Sequence, residues 1–549
     1  MSSLASNNPL QDTHDFTDLV AEVATTHLGS ETLLLPLGGG ILALLSQAAQ
    51  AASDRGWSLY LVGGVVRDLI LFAQESETPQ TNSQTNSQGT PKFTDIDLVV
   101  DGGAGNDSVS QIDHEQNFLA GAGIELAQAI HRLHPQAKLE IHEDFHTAAL
   151  RWQNDSVLGS LSVDLATTRT ETYPYPAANP QVKIGSIHQD LYRRDFTINA
   201  LALKLTGEMG RDESLTVPIP IGETLARKDA RSLPSLELKE VLILDFFGGW
   251  QDLLDKQIRV LHAHSFIDDP TRIYRAVRFA VRLGFTIEPQ TQEYIHTSIA
   301  QRAYQQYYDQ MLTPQIKFPA LQNRLKTEIK YLFQSSSYQK NLQLLGKLEA
   351  LKCLHPQMEL TNKLWQQVRL GDRLLKLWHH FLDHHKPPHS PNSPDWLLRL
   401  ELIIAILPGS DRPQVANNLQ LPVDSISRLQ QLALVESNIA LDLPDLPSEV
   451  ANVAVSQVVE RLKYYNCSLL LLTAIRSSPR QRRQIWQYLT IDRWVRSPLD
   501  GNALKNLGYP PGKEYKLILE ALTTATLDGF INSYESAMVF LANNFPLPH

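Results

Sequence analysis

The segment FTDIDLVVD, Phe93 to Asp101, constrains this chain more than any other stretch. Residues two apart on a strand face the same side. Asp95 and Asp97 therefore point together, while Ile96 and Leu98 point into a core. Two carboxylates held that close repel one another unless a cation sits between them. Carboxylate oxygens are the ligands that Mg²⁺ prefers, and a pair of such ions activates an attacking hydroxyl and stabilises a leaving pyrophosphate. D-x-D alone is common, and it is more often a solvated strand edge than a metal site. Its neighbours in the chain narrow the choice.

Upstream lies LYLVGGVVRDLIL, Leu59 to Leu71, which reads as a buried strand, a double-glycine turn and a helix start. Gly63 and Gly64 let backbone N–H groups approach a phosphate, and a helix N-terminus adds partial positive charge. Arg67 follows with a fork of donors suited to phosphate. Taken alone, GG-x-x-RD also describes a strand–helix turn with a surface salt bridge. Downstream, Asp164 in SVDLATTR has alternating apolar flanks and is the third carboxylate expected from a neighbouring strand; a plain strand-end aspartate is the alternative. LYRRDFTINALAL, Leu191 to Leu203, then predicts a helix capped by Asp195 with Arg193 and Arg194 beside its N-terminal end.

A further segment, FIDDPTRIYRAVRFAVRLGF, spans Phe266 to Phe285. Pro270 suits a first helical turn, with Asp269 as N-cap. Arg272, Arg275 and Arg278 recur every three residues and fan across one side, while Ile273, Ala276, Val277 and Ala280 supply a buried side. A solvated basic face is the bland alternative, but no acid is interspersed.

The rest of the chain is an ordinary globular sequence of 549 residues, 43% hydrophobic and 20% charged, long enough for several domains. Cys353 and Cys467 are far apart and without CxxC spacing, which excludes a disulfide framework and a cysteine zinc site and suits a reducing cytoplasm. No signal peptide is visible, and the most apolar stretch, Leu33 to Leu45, is too short and broken to span a bilayer. A formal charge of −10 requires a nucleic-acid enzyme to concentrate its arginines locally. They cluster between Arg476 and Arg496, with Trp486, Tyr488 and Trp494 among them. Residues 1–30 read as a weakly ordered leader and 31–205 as an α/β head with a low-complexity insert over 74–92. A polar insert over 206–240 follows, then a helical neck over 241–300 and a helical body and tail over 301–549.

In this order the four motifs resemble the class II tRNA nucleotidyltransferases (CCA-adding enzymes) and the related bacterial poly(A) polymerases, from Leu59 to roughly Gln292, less the two polar inserts. The resemblance implies a polymerase-β-like head (α/β) followed by an all-α neck, body and tail. It implies that Asp95 and Asp97 hold the catalytic Mg²⁺, with Asp164 where the family usually has Glu. Gly64 and Arg67 match nucleotide-phosphate contacts, with Gly63 beside them, and Arg194 matches the second arginine of the family's RRD motif. Asp269 and Arg272 match the pair that reads the incoming base, and Arg275 and Arg278 further nucleotide-binding positions. The family's Glu-Asp at that motif is here Asp268-Asp269. The base reading has its own logic: C and A offer a ring acceptor and an amino donor, which suit an arginine beside an aspartate, whereas U and G leave groups unpaired.

The implied reaction is template-independent transfer of CMP or AMP from CTP or ATP to the 3′ end of tRNA, in the cytoplasm and away from membranes. Complete CCA addition, CC only, A only and poly(A) synthesis all use these motifs. The wording of DDPTR and of TETYPYPAANPQV, Thr170 to Val182, looks closest to long members that include A-adding enzymes. A relative that binds RNA without catalysis is the reading from another class. The stretch LDGNALKNLGYPPGKEYKLILEAL, Leu499 to Leu522, resembles the family's tail, and Arg480, Arg482, Arg483, Arg493 and Arg496 ahead of it are expected to grip the tRNA backbone, unless they form a solvated helix face. The histidines His379, His380, His384, His385 and His389 lack the His-Asp pattern of a phosphohydrolase and read as a solvated helix end.

Overall fold

A computed structural model describes residues 39–75, 93–102, 121–172, 181–206, 243–301, 319–385, 393–443, 453–510 and 512–546. The leader over 1–30, nearly all of the inserts over 74–92 and 206–240, and His389 lie outside the described residues. The chain divides into two compact units, Met1–Pro174 with Pro180–Ser265 and Tyr175–Asn179 with Phe266–His549.

The first unit is built on β1 (Ser58–Val62), β2 (Asp95–Asp101), β3 (Lys138–His142), β4 (Thr147–Arg151), β5 (Ser162–Thr167), β8 (Ala202–Lys204) and β9 (Ile243–Leu244), with a hairpin of β6 (Arg169–Thr172) and β7 (Gln181–Ile184) apart from them. The seven strands form one sheet in the order β3-β4-β5-β2-β1-β8-β9. β2 and β5 run parallel and the other pairs antiparallel, so the sheet is mixed.

Alternation decides which face is which. Leu61, Leu98, Leu165 and Ala148 stand in one cross-strand row, and each is at most 2% exposed. Burying one such leucine contributes about 1.5–3 kcal/mol. Helices Gly39–Ser53 and Ala122–Leu133 carry matching apolar sides and pack against this sheet. Gly123 permits the approach: a Cβ there would fall 2.7 Å from the carbonyl carbon of Ala166. With both helices on one face, the carboxylates of β2 and β5 are left on the other.

Two local expectations are corrected. After Asp195 the chain makes only a single 3-10 turn, Thr197–Asn199, before entering β8. The apolar residues that suggested a helix (Ile198, Leu201 and Leu203) are needed in the head core, where all three are buried. Residues 243–265, read as the start of a helical neck, belong with the head: β9 pairs with β8 and Phe196 bridges to Val260.

The second unit is mostly helical among its described residues, with one short strand at Thr286–Ile287. Helix Thr271–Leu283 buries Ile273, Tyr274, Ala276, Val277 and Ala280 and ends at Gly284 in the left-handed conformation. The long helix Asn362–His385 packs against Asp395–Ile404 and Cys467–Arg476. Helices Gly501–Asn506, Lys513–Leu527 and Tyr534–Asn544 share a small core of their own around Leu504, Leu522 and Leu541. No described helix is long and apolar enough to cross a membrane.

Candidate active site

Register brings the three predicted carboxylates together. Asp97 is the direct neighbour of Asp164 across the parallel β2–β5 pair, and Asp95 lies one step along the same face. All three are exposed. Asp95 accepts a hydrogen bond from Thr94 Oγ1 at 3.1 Å, whereas neither Asp97 nor Asp164 has a hydrogen-bond donor among the described residues. Surrounding protein hinders hydration of Asp97 and raises its pKa; Arg194 opposes this, and Asp164 and Asp95 add to it. Asp164 is raised for the same leading reason, with Arg151 opposing and Asp95 reinforcing. Carboxyls of one sign, crowded and short of donors, are what a divalent cation would relieve. Among the described residues no three His, Cys, Asp or Glu side chains converge into a complete metal cage.

β1 ends at Val62, opposite Asp97. Gly63 then turns with φ +76°, a conformation that L side chains rarely adopt. A Cβ on it would stand 3.0 Å from Arg194 Nη1 and 3.4 Å from Asp97 Oδ2. The glycine therefore lets a guanidinium and a carboxylate meet over the turn, where helix Gly64–Glu75 begins.

Arg194 is placed there by Asp190, whose side chain is fully buried. Asp190 Oδ2 accepts from Arg194 Nη2 at 3.2 Å, while Oδ1 accepts from Arg193 Nε and Nη2 at 3.1 and 2.9 Å. Burial pushes the Asp190 pKa up, but Arg193 and Arg194 more than reverse it, and the group stays ionised. Arg194 Nε is buried without a hydrogen-bond partner. Sequence reasoning missed Asp190; its signal was an acid three and four residues before two arginines on a short helix, Ile187–Tyr192.

Arg67 differs from the expectation. Its side chain is 2% exposed, with Nη1 donating to Asn199 Oδ1 at 2.6 Å and Nε to Asp68 at 2.7 Å. It ties the helix after the turn to the Thr197–Asn199 segment, and Asn199 donates in turn to Asp195 Oδ1. Asp195 thus braces this network instead of capping a helix.

In the helical unit, Pro270 occupies the N-cap of helix Thr271–Leu283, and Asp269 Oδ1 accepts from Thr271 N at 3.0 Å and Oγ1 at 2.6 Å. Asp269 Oδ2 lies 3.8 Å from Arg324 Nη2, beside an open polar cleft that Arg275, Asn323 and Glu328 also line. Arg272 is buried. Arg275 and Arg278 are not an unpaired basic face: both donate to Glu328 of helix Pro319–Gln334, at 2.9 and 2.7 Å. The acid missing from the local sequence comes from far along the chain.

The C-terminal arginines divide. Arg482 donates to the carbonyls of Ala474 and Ser477, closing the end of helix Cys467–Arg476. Arg493 donates to Cys467 Sγ and lies 4.9 Å over Trp494. Arg480 is half-buried, and Arg483 and Arg496 are exposed. Of the histidines, His379 pairs with Asp395 and His384 turns back on the carbonyl of His380.

Residues 59–214 match the family described as Poly A polymerase head domain. An A-adding tRNA nucleotidyltransferase of Geobacter sulfurreducens is 26% identical over 489 residues, covering 89% of this chain and 45% of its own length. Another of that description, from Aquifex aeolicus, is 31% identical over 323 residues, 58% of this chain and 28% of its own length. The chain thus spans less than half the length of these curated relatives. A Thermotoga maritima CCA-adding enzyme complexed with tRNA superposes with a TM-score of 0.61 at 23% identity, over 94% of this chain and all of its own. That likeness gives the fold: a polymerase-β-like head domain in a chain whose remainder is mostly helical.

Proposed function

We propose that this chain transfers CMP or AMP, or both, from CTP and ATP to the 3′ end of tRNA, releasing pyrophosphate, without a nucleic-acid template. The observation that carries the reading is the in-register trio Asp95, Asp97 and Asp164 facing Arg194 across the glycine turn. Nucleotidyltransferases of this family generally use divalent metal ions. We assign Mg²⁺ to Asp95 and Asp97, where bound cations supply activation of the attacking hydroxyl and charge neutralisation at the leaving pyrophosphate.

The chain's own residues do the rest. The Gly63-Gly64 turn lets the triphosphate approach the backbone, and Arg194 offers it a guanidinium held still by Asp190. Asp164 accepts a hydrogen bond from the attacking 3′-hydroxyl and orients it toward the α-phosphate. In this reading Asp269 and Arg272 select the base, while Glu328 holds Arg275 and Arg278 in fixed poses behind them. Arg67 supports the turn from beneath. Two buried thiols without a disulfide accord with a reducing cytoplasm.

The test is incorporation of labelled CTP or ATP into tRNA lacking its terminal CCA, with Asp95→Ala as control. Absence of label from both nucleotides, on tRNA lacking CCA and on tRNA ending in CC, would refute the proposal. A narrower reading, A addition alone, is favoured by the description of both relatives above as A-adding. Label from ATP on tRNA ending in CC, with none from CTP on tRNA lacking all three residues, would establish it.

A further inference from the structure

We propose that Arg151 binds the RNA strand whose 3′-hydroxyl reacts, by contacting its terminal internucleotide phosphate on the side of the carboxylates away from the glycine turn. The proposal rests on the nucleotidyl-transfer reading. It goes beyond that reading by assigning the RNA side of the site.

Two phosphate-bearing reactants must meet at the same carboxylates. In an in-line displacement, the attacking and leaving oxygens lie on opposite sides of the phosphorus. The glycine turn, the start of helix Gly64–Glu75 and Arg194 all lie on the β1 side of Asp97. That side suits the triphosphate and its leaving pyrophosphate. The hydroxyl must therefore arrive from the β5–β4 side.

What β4 offers there is fixed by register. Arg151 pairs with Ser162, and Ser162 pairs with Asp95, so the three stand in one row on the face that bears the carboxylates. With strands about 4.8 Å apart, the Arg151 and Asp95 backbones are roughly 10 Å from one another. In the adjoining row, Asp164 is followed by Ala149. That methyl is itself buried, and the row continues to Glu140 on β3. Arg151 stands in the row beside it. Its side chain is 44% exposed. Nε is steered by Glu140 Oε2 at 3.1 Å and Nη1 by Ser162 Oγ at 3.1 Å, while Nη2 has no partner among the described residues. An arginine fixed by two contacts with a donor to spare is pre-organised for a phosphate oxygen. Lys138, next in the row and 72% exposed, is paired with Glu140 Oε1 at 2.8 Å.

The experiment compares the full-length protein with Arg151→Ala and Arg151→Lys. Equilibrium binding of labelled tRNA lacking CCA is measured against salt concentration, alongside steady-state incorporation. Arg151→Ala is expected to raise the KM for tRNA about tenfold while the KM for the nucleotide stays within about twofold. The slope of log affinity on log salt should fall by about one, as for one lost phosphate contact. Arg151→Lys should recover most of the affinity, because a point charge still attracts phosphate. Unchanged tRNA affinity and slope in Arg151→Ala would overturn the assignment. So would a fall in kcat with a raised Mg²⁺ requirement at constant tRNA affinity, since Arg151 would then act only through Asp164. Because binding is read without catalysis, a wild type that binds tRNA but incorporates nothing would count against the nucleotidyl-transfer reading and leave the slope to judge Arg151.

Discussion

The head and the helical unit treat carboxylates in opposite ways. In the helical unit, Glu401 is wholly buried, and its oxygens are taken by Arg428 Nε and Nη2 and by Ser425 Oγ. Glu328 is nearly as buried and is shared by Arg275 and Arg278. On the head sheet, Asp97 and Asp164 sit side by side with no donors among the described residues. In the helical unit each of these buried carboxylates has its donors. Uncompensated charge of one sign is unfavourable for folding, and its presence on an open sheet face marks where a cation and a substrate complete the pairing.

The largest effect should come from the uncompensated side. Asp95→Ala or Asp97→Ala is expected to reduce nucleotide incorporation by roughly 10³-fold or more, the scale of several kcal/mol of lost transition-state stabilisation. Thermal melting at neutral pH should not fall in Asp97→Ala, because no internal hydrogen bond is lost there. A variant that melts far below wild type would show that the carboxylate is structural, and would erase the contrast.

The compensated side predicts the reverse. Glu401→Ala leaves Arg428 buried and unpaired, and should destabilise the helical unit by about 3–5 kcal/mol. Incorporation per folded molecule should be unchanged at a temperature where the variant is folded. Replacing both partners with apolar residues of similar volume should be nearly neutral. Denaturant unfolding followed by circular dichroism distinguishes the two variants, and equal losses in both would mean that packing, not charge pairing, is what matters there.

The division between these regions was only partly legible in the sequence. Period-two alternation in FTDIDLVVD placed Asp95 and Asp97 on one face, and the apolar flanks of Asp164 placed it on a neighbouring strand. Both signals are local, and strand geometry carries them directly into space. The partners of Arg275 and Arg278 were not legible, since Glu328 lies on another helix and charge patterns within one helix say nothing of it. The partner of Arg67 was not legible for the same reason, because Asn199 lies 132 residues along the chain. The helix expected after Asp195 failed because apolar residues needed to fill a core look alike in a helix and in a turn followed by a strand. Asp190 was within reach of a local rule, acid before base at helical spacing, but its complete burial was not.

A smaller effect tests the raised pKa values. The folded state holds protons on Asp97 and Asp164 above the ordinary value of 3.8, so between that value and the raised ones the native protein binds more protons than the unfolded chain. Stability must then decline as pH rises through this window, and the loss persists at neutral pH. Asp164→Asn removes the titration. At pH 7 it should melt above wild type, and the gap should close below about pH 4. A melting difference that is the same at pH 4 and pH 7 would remove desolvation as its cause.

The smallest effects separate architecture from RNA contact within the C-terminal arginine group. Arg482 is committed to two carbonyls at the end of helix Cys467–Arg476, and burial lowers its pKa. Arg482→Ala should therefore cost about 1 kcal/mol of stability and leave the salt dependence of tRNA binding as it was. Arg483, one residue on, is exposed on helix Pro479–Thr490. Arg483→Ala should leave melting unchanged, weaken tRNA binding a few-fold, and lower the salt slope by about one if that face meets the phosphate backbone. Neighbouring arginines that moved both observables together would mean that exposure is a poor guide to function here. The head's rule, that unpaired charge marks the working surface, would then not extend to this group.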